Sequence, residues 1–333
     1  MNRPLSKQLL NARFFLLLMI ILFLTPTFFP SSAWLFSFAT PLLNLNTIFL
    51  SILIEALPFV LIGVLIAGFI QIFITEQHIQ KCIPKNKFLA IIMSCVIGAL
   101  FPACECGIVP IVRRLVSKGV PIHSAMGFML TGPLINPIVI ISTYMAFGND
   151  LKIAGLRMIL GFIIAIIVAL LISMLFTGTQ FKKGIRTNHA QHGTAKLSFF
   201  KKSSNMVNHS IDEFFDMGKY LIIGAFLAAF VQTFVSTKTL VDIGDHFTSS
   251  MLVMMLLAYI LSLCSEADAF IGASFSSIFP TPSILAFLIF GPMIDFKNTI
   301  MMLGVFRLKF VLSVLTIVFL VIFFIIWLIA PFL

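Results

Sequence analysis

Two thiols flank a carboxylate at Cys104-Glu105-Cys106, between Pro102 and Pro110 in an otherwise apolar stretch. Thiolates are soft ligands that suit zinc, copper(I) and similar ions, and trivalent arsenic is thiophilic as well. A Cys-x-Cys pair can hold a thiophilic atom, undergo thiol exchange, or simply pack small side chains at a tight helix break. A second constellation runs from Cys264 through Glu266 to Asp268, with two carboxylates in one apolar segment and a thiol two residues before the first. Carboxylates in such surroundings are costly unless neutralised. They can bind a cation, carry protons, or pair with a basic residue, and Arg157 and Arg307 are the basic residues the sequence offers.

A third pair of signals is Thr131-Gly132-Pro133-Leu134-Ile135-Asn136-Pro137 and Phe290-Gly291-Pro292-Met293-Ile294-Asp295. A Gly-Pro pair interrupts a helix and frees carbonyls, and the following Asn136 or Asp295 adds a polar side chain. These segments either line a pathway or act as kinks that let helices pack. Glu55 and Asp216 are lone acids inside apolar runs, readable as gate or proton residues, with Asp216 close to a hydrophilic loop. Cys82, Cys95 and His123 read as structural. No phosphate loop, Ser-His-Asp set or zinc-protease motif is present, so the chain is not read as an enzyme and neither a cofactor nor an ATP-driven step is expected.

The elements that position these residues follow from composition. Of 333 residues, 60% are hydrophobic and 10% charged, against roughly 25% charged in soluble domains. Apolar runs of about 20 residues, enough to cross a bilayer, recur from Phe14 onward. The class is therefore all-α, a polytopic transmembrane helical protein whose solvent includes the lipid bilayer. Within a membrane a charged side chain costs roughly 2.5–3.5 kcal/mol or more, which marks the acids above as functional candidates. The formal charge of +10 comes from Lys and Arg gathered in short segments between apolar runs. That is the pattern of cytoplasmic loops, and it explains the excess without nucleic acid. Five cysteines, an odd number in mostly apolar surroundings, do not make a disulfide framework.

Along the chain, residues 1–46 read as a retained N-terminal helix over 14–30 followed by an external stretch over 31–46. Residues 47–176 read as a first membrane repeat, with a basic loop at 75–87 and broken helices between 88 and 148. Residues 177–210 form a basic cytoplasmic linker with His189, His192 and His209, read as a solvated connection rather than a metal sensor. Residues 211–333 read as a second repeat. Ile62–Gln71 matches Ile223–Gln232 at five of ten positions, offset by 161. The same offset sets Glu55 on Asp216 and Glu105 on Glu266, and an offset of 159 sets Asn136 on Asp295. Ordered polar matches of this kind predict a duplication. Each half should hold about five helical segments, and the charge pattern makes the halves inverted, a transporter architecture with its site at the midplane.

The Cys-Glu-Cys-Gly-Ile-Val-Pro, Gly-Pro-Leu-Ile-Asn-Pro and Ser-Glu-Ala-Asp-Ala-Phe runs together resemble a family of predicted bacterial permeases. It includes the organoarsenical efflux permease ArsP and the YraQ- and YcgR-type permeases. The resemblance spans about residues 47–330 and implies a multi-pass permease of the bacterial inner (plasma) membrane. It also implies a small partner membrane protein, since some relatives are encoded beside one. Arsenical exporters of the family use membrane cysteines, for which Cys104, Cys106 and Cys264 are the available thiols here.

The expected function is secondary-type efflux of a soft metal ion, metalloid or thiol-reactive solute. Cys104, Cys106 and Cys264 act as soft ligands. Glu105, Glu266, Asp268 and Asp295 serve coupling, and Asn136 lines the path. The alternatives are a divalent-metal or small-anion permease subunit that needs a partner, a membrane-embedded thiol redox protein, and a scaffold.

Overall fold

The computed structural model describes residues 33–73, 83–84, 86–101, 104–182, 199–234 and 247–332, with backbone only at 33–40, 199–205 and 209. The helix expected at 14–30, most of the 75–87 loop, Cys82, Pro102, His189 and His192 lie outside the described residues.

Twelve α-helices are described. The first six are α1 (Ala33–Phe73), α2 (Lys87–Ala99), α3 (Glu105–Ser117), α4 (Ile122–Ile135), α5 (Pro137–Ala146) and α6 (Leu151–Leu175). The next six are α7 (Phe199–Phe234), α8 (Phe247–Leu261), α9 (Ser265–Ser274), α10 (Thr281–Met293), α11 (Phe296–Val305) and α12 (Leu308–Ile329), closed by a short 3-10 turn at Ala330–Phe332. Among the described residues there is no strand beyond one isolated bridge between Phe181 and Phe306.

Each set of six runs in the same order: a long helix, two short ones, a broken pair, and a long helix. Six stretches are long and apolar enough to cross a bilayer: α1 from Pro41, α4 with α5, α6, α7 from Met206, α10 with α11, and α12 with its terminal turn. By contrast α2 and α3 have 13 residues each, about 20 Å at 1.5 Å per residue. Neither spans a hydrocarbon core of about 30 Å by itself.

Two boundaries differ from the sequence reading. The stretch 33–46, read as external, is the start of α1. It contains neither glycine nor a charged residue, and Pro41 removes only one amide donor, so nothing stops the helix. Likewise 199–209, read as linker, already belongs to α7.

The helix breaks sit later than the Gly-Pro pairs. α4 continues through Gly132-Pro133 to Ile135 and stops at Asn136, whose ψ is 152°. Pro137 disfavours the α conformation at the residue before it, and Asn136 caps the next helix by accepting from the Val139 amide, so the two together end α4 where Pro133 alone did not. In the second half no such proline follows. There Ile294 turns extended, and Asp295 opens α11 by accepting from the Asn298 amide at 2.5 Å.

Packing places the broken helices innermost. Every residue of α4, and every residue of α10 from Pro282, is buried. α4 lies against α2, α3, α6 and α10, and α10 lies against α8, α9, α12 and α4. The outermost helix, α12, turns Leu308, Leu312, Leu320, Phe324 and Trp327 outward, as a lipid-facing surface requires. Small residues bring helices together where lipid supplies no hydrophobic drive. A Cβ on Gly63 of α1 would lie 2.2 Å from the carbonyl oxygen of Gly107 in α3.

The two halves lock by exchange. α3 packs on α11 and α9 packs on α5, so each short helix leans on the distal broken segment of the other half. The N-terminal ends of α3 and α9 thereby converge on one polar centre, with Glu105 of α3 an electrostatic neighbour of Asp268 in α9.

Candidate functional site

The centre is assembled from helix beginnings. Cys104, extended at φ −76° and ψ 168°, is the N-cap of α3, and Cys264, at φ −74° and ψ 154°, is the N-cap of α9. Neither thiol caps an amide. The first amides of each helix therefore keep their partial positive charge, which favours acids in the first turn. Glu105 occupies that turn in α3, and Glu266 and Asp268 occupy it in α9.

Lys297 of α11 is the hub. Its Nζ lies 3.2 Å from Glu105 Oε1, 3.8 Å from Asp295 Oδ2, and donates to the Ser262 carbonyl oxygen at 3.2 Å. All three charged groups are buried, with Lys297 4% exposed. One cation thus serves two carboxylates and ties the first half to the second. Such a pair is stable only when both charges are matched, because removing one strands the other in a low-dielectric interior.

Arg157 of α6 is the second buried cation. Its Nη1 donates to Thr143 Oγ1 at 2.6 Å and its Nη2 to the Ser265 carbonyl oxygen at 3.2 Å. The carboxylates it feels most are Asp268 and Glu266. Arg157 therefore binds the backbone at the start of α9 from the opposite half. Asn136 and Asp295 are matched caps, with Asn136 Oδ1 accepting from the Val139 amide at 2.9 Å to open α5. Asn136 is buried among these elements and makes no ion pair.

The thiols divide into two groups. Cys104 and Cys106 are electrostatic neighbours at the start of α3. Cys106 is buried and Cys104 half-buried. Cys264, also half-buried, has Glu55 of α1, an exposed residue, as an electrostatic neighbour. Glu266 is half-buried beside it. The centre therefore has a closed side, formed by Glu105, Asp268, Asp295 and Lys297, and an open side formed by Cys104, Cys264, Glu266 and Glu55. Among the described residues no three His, Cys, Asp or Glu side chains converge to hold a metal ion. Cys104 and Cys106 are thus two adjacent thiols without a third such side chain beside them to complete a metal set among the described residues.

Two residues of the sequence set fall elsewhere. Arg307 is exposed, and its Nε donates to the Phe181 carbonyl oxygen at 3.1 Å, fastening the end of the described linker segment to the start of α12. Asp216 pairs with Lys219 at 3.2 Å on the rim of α7. The equivalence of Glu55 and Asp216 in the repeat is thus not one of position at the site.

Sequence reasoning missed Lys297, Thr143, Ser262 and Glu213. Lys297 had a visible signal, a lone lysine two residues after Asp295 in an apolar run. Glu213 of α7 is buried and takes Arg114 Nε at 2.6 Å and Arg113 Nη1 at 3.5 Å. It anchors the basic C-terminal end of α3 to the other half.

Comparison with known proteins agrees with this picture. A family model described as a predicted permease, ArsP_1, matches residues 41–330. A Bacillus subtilis protein called UPF0718 protein YcgR is 52% identical over 274 residues, covering 82% of this chain and 92% of that protein. A Streptococcus mutans protein called a putative two-component membrane permease complex subunit is 45% identical over 266 residues, covering 80% of this chain and 88% of that protein. No solved structure matches the chain. With the family match running through both broken helix pairs and the whole polar centre, the chain belongs to the ArsP_1 family of predicted permeases, multi-pass helical membrane proteins.

Proposed function

We propose that the chain is a secondary permease of the bacterial plasma membrane that exports a small, soft or thiol-reactive solute by alternating access. The observation that carries this reading is that α3 and α9, two helices too short to span, both begin at a buried polar centre that joins the two halves. Discontinuous helices of this kind place transport sites near the midplane, where the halves meet. The thiol pair Cys104–Cys106, with Cys264 on the neighbouring helix start, supplies soft ligands along the open side.

The inverted arrangement of the halves draws support from charge. The C-terminal end of α3 carries Arg113, Arg114 and Lys118, whereas the chain from Ala269 to Pro280, at the corresponding end of α9, has no charged residue. Basic ends stay inside, so the two short helices point opposite ways.

A second reading is favoured by one relative's description as a subunit of a two-component membrane permease complex. On that reading this chain forms its path together with a partner membrane protein. The experiment covers both. Everted vesicles carrying the chain, alone or with the product of a neighbouring membrane-protein gene, are offered zinc, copper(I), arsenite and methylarsenite, with and without a proton gradient. Accumulation of one solute, lost in Cys104→Ser/Cys106→Ser, supports thiol-dependent export. Accumulation that survives loss of both thiols overturns the soft-ligand part of the proposal.

A further inference from the structure

The polar centre does not balance. Three of its carboxylates are fully buried, Glu105, Asp268 and Asp295, against two buried cations, Lys297 and Arg157. Half-buried Glu266 adds a further negative charge and no cation. Glu105 and Asp295 share Lys297. Asp268 is different. It is 1% exposed, and neither of its oxygens has a hydrogen-bond partner. Arg157, the opposite charge that acts on it most, spends its terminal amino groups on Thr143 and on the Ser265 carbonyl, and its buried Nε makes no hydrogen bond to Asp268 or to any other group. An isolated buried carboxylate without donors is among the costliest groups a membrane protein can hold.

On its own helix, half-buried Glu266 lies two residues before Asp268. Arg157 faces it from α6, Glu105 from α3, and Asp295 and Lys297 from α11. The helices packed directly on α9, α5 and α10, bring no charged side chain. Gly291 of α10 presses against Asp268 Oδ2 so closely that a Cβ there would come within 2.8 Å of it. Ser265 Oγ, on the same first turn of α9, is buried and also lacks a partner.

We infer that the centre holds one further monovalent positive charge at Asp268, a proton or a sodium-sized cation, and that this is the coupling ion of the permease. The buried set carries one excess negative charge, three carboxylates against two cations, so one monovalent charge balances it and a divalent ion does not. The coupling role rests on the permease reading above, whereas occupancy of the site does not. An acid that must be neutral when enclosed, and that sits where the halves exchange helices, links ion binding to which face is open.

The test uses the full chain in lipid nanodiscs without solute. Infrared spectroscopy reads the C=O stretch of a protonated carboxyl group, and melting is followed across a sodium series at constant ionic strength. A protonated-carboxyl band present in the wild type, missing in Asp268→Asn, and a melting temperature indifferent to sodium identify the proton. No band, with melting that rises with sodium in the wild type and is flat in Asp268→Asn, identifies the metal cation. A wild type with neither signal overturns the inference without recourse to any variant. So does a signal that persists unchanged in folded Asp268→Asn. Neither measurement involves flux, so failure of the transport experiment leaves this result standing, and flux without either signal removes only this inference.

Discussion

Lys297 Nζ lies 3.2 Å from Glu105 Oε1, and this contact joins the first residue of α3 to the second residue of α11 across the two halves of the chain. Both groups are buried, and the same ammonium also faces Asp295. The pair is thus a joint between the two halves as well as a neutralisation. Any rearrangement that separates α3 from α11 must provide both charges with new partners.

Removing one member of this joint should cost about 3–5 kcal/mol, the usual penalty for stranding a buried charge. Lys297→Met strands two carboxylates and should be the more severe variant, with Glu105→Gln milder. The double variant Glu105→Gln/Lys297→Met should recover much of the loss, leaving Asp295 as the residual defect. Thermal unfolding followed by size-exclusion chromatography in detergent checks this cycle. Additive losses in the double variant contradict the pairing.

The crossing of α1 and α3 depends on two glycines. Gly63→Ala drives a methyl into the Gly107 backbone, and Gly107→Ala does the same toward the Phe59 carbonyl oxygen at 2.7 Å. Each should destabilise by about 1–3 kcal/mol through overpacking. Gly155→Ala in α6 meets nothing within 4 Å. It should be neutral or stabilising by up to about 1 kcal/mol, from helix propensity alone. Comparing melting temperatures of the three variants separates close packing from a general intolerance of substitution.

Glu213 and Asp216 lie three residues apart on α7 and should behave oppositely. Glu213→Ala leaves Arg113 and Arg114 facing each other with their shared carboxylate gone. A loss of about 3 kcal/mol is expected, toward the lower end for buried pairs because both arginines partly reach solvent. Asp216→Asn loosens a pairing with Lys219 in which both side chains are partly exposed, and should change stability by about 1 kcal/mol or less. Equal effects on denaturation would contradict the assignment of Glu213 as an anchor between the halves.

Gly291 sits against Asp268, so Gly291→Ala should disturb the ion site before it disturbs the fold. The expected result is a shift in the carboxyl band or sodium response of Asp268, with near-normal expression. An unchanged response in a folded variant contradicts the contact.

Much of this centre was legible in the sequence because membrane burial makes polar residues conspicuous. Glu105, Glu266, Asp268 and Asp295 stood out as acids in apolar runs, Cys104 as a thiol beside a helix break, and Cys264 as a thiol two residues before an acid. The recurrence at offsets of 159 and 161 pointed to two similar halves of about five helical segments each, where six helices per half are described. Lys297 escaped because that same recurrence pointed away from it: at an offset of 159 its counterpart is Ile138, so a search for matched pairs passes it by. Arg307 took its place in the sequence reading because it also lies near a helix start. Only the packing of α11 on α3 decides between the two, and such a contact leaves no trace in local pattern. The break at Asn136 was readable from Pro137, whereas the one at Asp295 has no proline after it. It depends on the cap formed with the Asn298 amide.

The central claim is that a path for solute runs along the open side of the centre, past Cys104. A variant retaining Cys104 as its sole cysteine, embedded in sealed vesicles of each orientation, can be treated with a membrane-impermeant maleimide. Alternating access predicts labelling from both faces, each at a fraction of the rate seen after unfolding in detergent. Failure to label from either face, in protein that labels fully once unfolded, contradicts a path past Cys104.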